Sequence, residues 1–126
     1  MNTTIRKFGL FFLLALAIGF TQSCKNKEPS VIKVFVRNQS NQLVSGAKVI
    51  IVGDVTSNPT TLAYVDTVIT NESGFAYFNV APHYELGDKE YEVAYFDIIV
   101  QTPAFSGTSY IRSRIHTTAV ETAYIQ

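Results

Sequence analysis

The chain of 126 residues balances ten Lys+Arg against ten Asp+Glu and contains seven Gly, four Pro and a single Cys. That length accommodates one domain around one core, and it excludes large catalytic architectures such as the (β/α)8 barrel. The even charge leaves no basic footprint for nucleic acid, and Gly, Pro and charge are too sparse for collagen or disorder.

Arg6 and Lys7 precede an uncharged apolar run from Phe8 to Phe20, thirteen residues long. A bilayer-spanning helix needs about 20 such residues, whereas a secretory signal needs about 7–15 followed by small residues at the cleavage site. The run ends at Thr21-Gln22-Ser23-Cys24, and a lone thiol in an exported chain can form no intramolecular disulfide. This arrangement resembles a bacterial lipoprotein signal. The resemblance implies that residues 1–23 are a signal peptide and that Cys24 becomes the acylated N-terminus, with palmitate among its acyl chains. At about 0.8 kcal/mol per buried methylene, several such chains anchor a protein durably. Residues 24–30 then form the acylated cysteine and a polar tether, with no hydrophobic residue from Lys25 to Ser30. With Glu28 as its acid, the tether partly resembles the surface-export signals of Bacteroidetes lipoproteins. The expected location is the outer membrane, with the domain facing either the periplasm or the cell surface.

From Val31 to Gln126 the apolar residues alternate with period two and are rich in β-branched and aromatic types, which predicts an all-β domain over residues 31–126. The first strand is expected over 31–37, with Ile32, Val34 and Val36 on one face and Lys33, Phe35 and Arg37 on the other. Asn38 to Gln42 supplies side chains that bond their own backbone in a turn. A second strand follows over 46–52, with Ala47, Val49 and Ile51 facing one way. The alternation in 62–70 predicts a third strand with Ala63, Val65, Thr67 and Ile69 inward. Asn71-Glu72-Ser73-Gly74 is the strongest turn signal, and it predicts a hairpin into a fourth strand over 75–80. A long strand over 91–101, a break at 103–107 and two last strands over 109–117 and 119–125 complete the chain.

Seven short strands in about 100 residues match a two-sheet β-sandwich, with a small open barrel as the rival. Lys33, Lys48, Arg112 and Arg114 are candidates for protecting strand edges. Two segments carry a family resemblance: Val34-Phe35-Val36 leading to Val44-Ser45-Gly46-Ala47-Lys48-Val49, and Thr70-Asn71-Glu72-Ser73-Gly74-Phe75-Ala76-Tyr77-Phe78. Over 32–80 the chain resembles the carboxypeptidase-regulatory-like domain, a transthyretin-like, Ig-type sandwich. Gly46 and Gly74 stand where turns call for positive φ, and Ala47 and Phe75 each open an expected inward alternation. Downstream, Ala81 to Asp88 departs from the family's pattern. The resemblance implies an accessory or interaction module, not an enzyme, and no catalytic residues to carry over.

The chain contains no nucleophile elbow, phosphate-cradling loop, His-Glu-x-x-His or Cys-x-x-Cys. No cofactor and no metal site is expected. His83 and His116, the latter placed in a strand, lack ligand-like spacing and read as surface or strand-face histidines. Glu85, Asp88, Glu90 and Glu92 could offer oxygens to calcium, but without a glycine-turned Asp/Asn loop they read as a solvated hairpin around Lys89. The triplets at Asn38 and Asn71 match the glycosylation pattern and read as turns.

Outward positions are expected for Phe35, Tyr64, Tyr77, Tyr91, Tyr95, Tyr110 and Tyr124. Tyrosine combines an apolar ring with a polar tip and suits protein or sugar contact; in a two-sheet fold half of these rings could instead cover core or edge. The candidate binding face is Tyr64, Tyr77, Tyr95, Tyr110, Arg112 and Arg114. The leading expectation is a non-catalytic, membrane-anchored envelope module with a protein or glycan partner. The alternative is a small envelope hydrolase or ligand carrier using His116, Arg112 and Glu121. A convergent pocket containing a histidine with a perturbed pKa would favour the second, and a filled core with only flat aromatic surface the first.

Overall fold

The computed structural model describes Gly9 and residues 28–86 and 92–126. Seven strands, β1 (Val31–Arg37), β2 (Lys48–Gly53), β3 (Val65–Ile69), β4 (Phe75–Asn79), β5 (Val93–Gln101), β6 (Ser106–Arg114) and β7 (Thr118–Tyr124), form two sheets. One sheet has the order β4-β1-β7, the other β3-β2-β5-β6. All pairings are antiparallel except β1 with β7, which is parallel. The fold is a seven-stranded β-sandwich, as the alternation predicts, and not an open barrel.

Period two builds the core directly. Ile32, Val34 and Val36 of β1, Val49 and Ile51 of β2, and Phe96, Ile98 and Val100 of β5 are fully buried between the sheets. Each such side chain stabilises the fold by roughly 1.5–3 kcal/mol relative to its exposed state. Ala47 is buried immediately before β2, as expected. Asn38 Oδ1 accepts the Ser40 and Gln42 N–H groups at 3.0 Å each, forming the predicted side-chain-supported turn.

The turn Asn71–Gly74 does not close a hairpin. It carries the chain from one sheet to the other, since β3 pairs with β2 and β4 pairs with β1. The reason lies at its two ends. Thr70 is fastened to the approach of β2: its N–H donates to the Ala47 carbonyl at 2.8 Å, and its Oγ1 accepts the Ala47 N–H at 2.9 Å. Gly74 is fastened to β1, its carbonyl accepting the Val36 N–H at 3.0 Å. Gly74 has φ +74°, and a Cβ there would stand 2.7 Å from Leu43 Cβ, so neither conformation nor space admits another residue.

The Thr70 clasp also sets which face of β3 turns inward. Thr70 is buried, so alternate residues Val68 and Tyr64 face the core, while Val65 and Ile69 are 66% and 54% exposed. This inverts the expected inward set of Ala63, Val65, Thr67 and Ile69. A one-residue offset in register exchanges the two faces of a strand, and here a side-chain bond beyond the strand decides it. Phe75 is likewise outward, with Ala76, Phe78 and Val80 forming the buried set.

Three further expectations change. A short helix, α1 (Ala81–Tyr84), follows β4 in a segment for which no regular element is expected. Ser106 and Gly107 belong to β6, and Ile115–Thr117 is a turn; Gly107 is required because a Cβ would strike the Tyr124 carbonyl oxygen of β7. Lys33 and Lys48 lie on the central strands β1 and β2, so of the proposed edge charges only Arg112 and Arg114 stand on an edge strand, β6.

Candidate functional site

The six residues of the expected binding face fall in three places. Tyr95, Tyr110, Arg112 and Arg114 share the outer face of the four-stranded sheet, where Tyr95 is paired with Arg112 across β5 and β6. Tyr77 is exposed on the outer face of the other sheet. Tyr64 is turned inward, half-buried against the core.

On the four-stranded face, the rings of Tyr95 and Tyr110 stack with centroids 6.0 Å apart and planes inclined by 22°. The Tyr110 hydroxyl donates to Asp54 Oδ2 at 2.9 Å, while Asp54 Oδ1 accepts the Thr56 hydroxyl at 2.7 Å and the Thr56 N–H at 2.9 Å. Asp54 is positioned by its own N–H, which donates to the Tyr95 carbonyl at 2.9 Å and so continues the sheet beyond β2. The Thr56 hydroxyl and N–H, and then Tyr110, hold the Asp54 carboxyl below the ordinary carboxylate range. Tyr110 is pushed up to about 12, by partial desolvation first and then by its bond to Asp54 and the nearby Asp97 charge. The assembly is a pre-ordered aromatic platform with an acid at one edge and two exposed guanidinium groups beside it. Its rings and arginines follow from the alternation in the sequence, whereas Asp54 does not; its place after β2 is its only signal there.

The three-stranded face carries a second cluster. Phe35 and Phe75 are cross-strand partners with ring centroids 5.6 Å apart, and Lys33 Nζ lies 4.0 Å from the Phe75 centroid and 5.1 Å from that of Phe35. Tyr77, opposite Lys33 in the register, is its exposed margin. Recognising this cluster required knowing that β1 and β4 are neighbours, which the expected β3–β4 hairpin concealed.

His83 is not on the surface. It is 1% exposed on α1, surrounded edge-on by Tyr84, Phe96 and Tyr64 at centroid distances of 5.1, 5.3 and 5.7 Å. Its Nδ1 is buried with no hydrogen-bond partner among the described residues. Burial pushes its pKa below the ordinary value, so it stays neutral. Beside it, the Tyr84 hydroxyl donates to Ser113 Oγ at 3.0 Å, and burial raises the Tyr84 phenol. Burial, followed by the Asp66 charge, raises the Tyr64 phenol as well.

His116 occupies the β6–β7 turn, not a strand. Arg112 is exposed on the outer side of β6, and Glu121 is half-buried on β7 opposite Val34 of β1. The depression of about 380 Å³ beside α1 is lined by Glu28, Tyr84, Glu85, Ile115 and His116, and by neither Arg112 nor Glu121. A wider, open groove of about 760 Å³ lies along β6 and the end of β7, lined by Gln101, Ser106, Thr108, Thr122 and Tyr124.

Cys24, Tyr91, Asp88 and Glu90 lie outside the described residues, as do residues 1–8 and 10–23 of the expected signal peptide. Glu85 and Glu92 are exposed on either side of residues 87–91. Among the described residues no three His, Cys, Asp or Glu side chains are grouped to hold a metal, and no helix is long and apolar enough to cross a membrane.

No family model matches the chain, and no curated protein matches it in sequence. Among solved structures it is similar to chlorocatechol 1,2-dioxygenase from Pseudomonas putida, with a TM-score of 0.46 and 14% identity over 82% of this chain. The chain spans 61% of the length of that enzyme. A superposition this loose carries no inference about chemistry.

Proposed function

We propose that this protein is a non-catalytic lipoprotein of the cell envelope, anchored to the outer membrane through acylated Cys24, whose β-sandwich is an accessory or binding module for a protein or glycan. The observation that carries the reading is the stack of exposed Tyr110 on half-buried Tyr95, pre-ordered by Asp54, with Arg112 and Arg114 beside it. Stacked rings that keep their geometry without a ligand lose little side-chain entropy on binding, and Tyr and Arg are the residue types that anchor interfaces. The apolar faces of such rings also suit stacking by a sugar ring. The resemblance of 32–80 to the carboxypeptidase-regulatory-like domain supports the same reading, because such domains act as attached modules. Its test is to crosslink the acylated protein in its own membranes and compare the captured species with those of Tyr95→Ala and Tyr110→Ala. A partner lost in both variants supports the module, and an identical capture profile removes the stack from it.

One observation favours the alternative of a small hydrolase or ligand carrier: a histidine with a perturbed pKa is present. His83, however, is enclosed by three aromatic rings, and no carboxylate or hydroxyl among the described residues is hydrogen-bonded to its ring. A general base needs a proton within reach, about 2.6–3.2 Å away. His83 therefore serves this reading only if α1 lifts, and turnover that disappears in His83→Phe while the denaturation midpoint stays unchanged would support it.

A further inference from the structure

The root of the tether is fastened to the domain. Ser30 is 2% exposed; its Oγ accepts the His116 N–H at 2.8 Å, and its carbonyl accepts the Val80 N–H at 2.9 Å. The Val31 N–H donates to the Thr117 carbonyl at 2.9 Å, and the Glu28 carbonyl lies 2.8 Å from His116 Nδ1. His116 has φ +58°, a conformation uncommon outside glycine. Such a residue persists where its surroundings hold it, and here both its N–H and its ring engage the tether. Only Lys25, Asn26 and Lys27 separate Cys24 from this clasp. Four Cα steps reach at most roughly 14 Å.

The topology brings the starts of β1, β3, β5 and β7 and the ends of β2, β4 and β6 to the clasped end. The connections there expose Val55 and Leu86, at 55% and 58%. The opposite end carries the loops 38–42, 71–74 and 102–105, with Phe105 at 53%. The nine residues of β5 set the two ends about 30 Å apart.

We infer that the His116 clasp and the short tether stand the sandwich end-on against the lipid headgroup layer, with Val55 and Leu86 toward the lipid and the loops 38–42, 71–74 and 102–105 away from it. This rests on the acylation of Cys24 proposed above. Tyr95 lies near the clasped end of β5, so a partner meets the tyrosine stack from the side, in the layer next to the membrane.

The protein contains no tryptophan, which makes single-tryptophan reporters clean. The acylated L86W and F105W variants, each reconstituted into phosphatidylcholine vesicles containing dansyl-labelled phosphatidylethanolamine, report distance to the headgroups through energy transfer. The expected result is a several-fold larger loss of tryptophan emission in L86W than in F105W. Equal or reversed losses overturn the orientation. A long Gly/Ser insertion between Lys27 and Glu28 should abolish the difference, and its persistence overturns the tether as the cause. The mass of the Cys24 peptide from the same preparation separates the two readings: an unacylated cysteine defeats both, whereas an acylated one with equal losses defeats the orientation alone.

Discussion

Two aromatic groups built from neighbouring residues of β5 have opposite fates. Phe96 points inward and joins Tyr64, His83 and Tyr84 in a cluster packed on the core, while half-buried Tyr95 points outward and stacks on exposed Tyr110. The residue types are nearly the same. What separates them is the pleat, which sends consecutive side chains to opposite faces, and α1, whose His83 and Tyr84 join only the inner group. Ring chemistry alone therefore does not mark a binding site. The inner cluster belongs to the packed core, and the outer stack is where we propose that a partner binds.

The sharpest way to break this contrast is to remove a ring from the inside. Phe96→Ala should cost about 3–5 kcal/mol, read as a shifted denaturation midpoint, and a cost near zero would mean that the cluster does not support the fold. Tyr84→Phe is milder: it leaves the fully buried Ser113 hydroxyl without its donor, and a loss of about 1 kcal/mol is expected.

The inner cluster should also be sensitive to acid. The folded His83 imidazole has a pKa below its ordinary value of 6.5, so the unfolded chain takes up a proton at a pH where the folded protein does not. The resulting stability is fully present above pH 6.5 and declines as the pH falls from there through the folded value. Denaturation midpoints measured across this interval should converge on a flatter profile in His83→Phe. The outer stack should behave in the opposite way. Tyr110→Ala should leave stability within about 0.5 kcal/mol while abolishing partner capture, and a large loss of stability would show that the stack is structural. The smallest effect sharpens the picture of the platform itself: in Asp54→Asn the Tyr110 phenol should titrate below its value of about 12, followed by its ultraviolet absorbance.

The strands of the sandwich were largely legible because local alternation encodes them. The first strand, the buried Ile32–Val34–Val36 set and the Val49–Ile51 set follow from period two alone. The face of β3 was not legible, since Ala63, Val65, Thr67 and Ile69 form as good an apolar series as the true inward one. A hydrogen bond from Thr70 to the start of β2 chooses between them. The candidate site was legible in the same partial way. Tyr95, Tyr110, Arg112 and Arg114 could be assigned outward by alternation, whereas Tyr64 followed the inverted face of β3 inward and Tyr77 went to the other sheet.

By itself the sequence determined the fold class, the number of strands, the inner faces of β1 and β2 and the positive-φ turns at Gly46 and Gly74. These depend on short-range rules of residue type and spacing. Tertiary structure alone decided that β3 and β4 belong to different sheets, that His83 is enclosed, that Asp54 orders the tyrosine stack, and that His116 holds Glu28 and Ser30 against the domain. Each of these joins residues distant in sequence, and their proximity follows from strand order, which alternation within single strands does not encode.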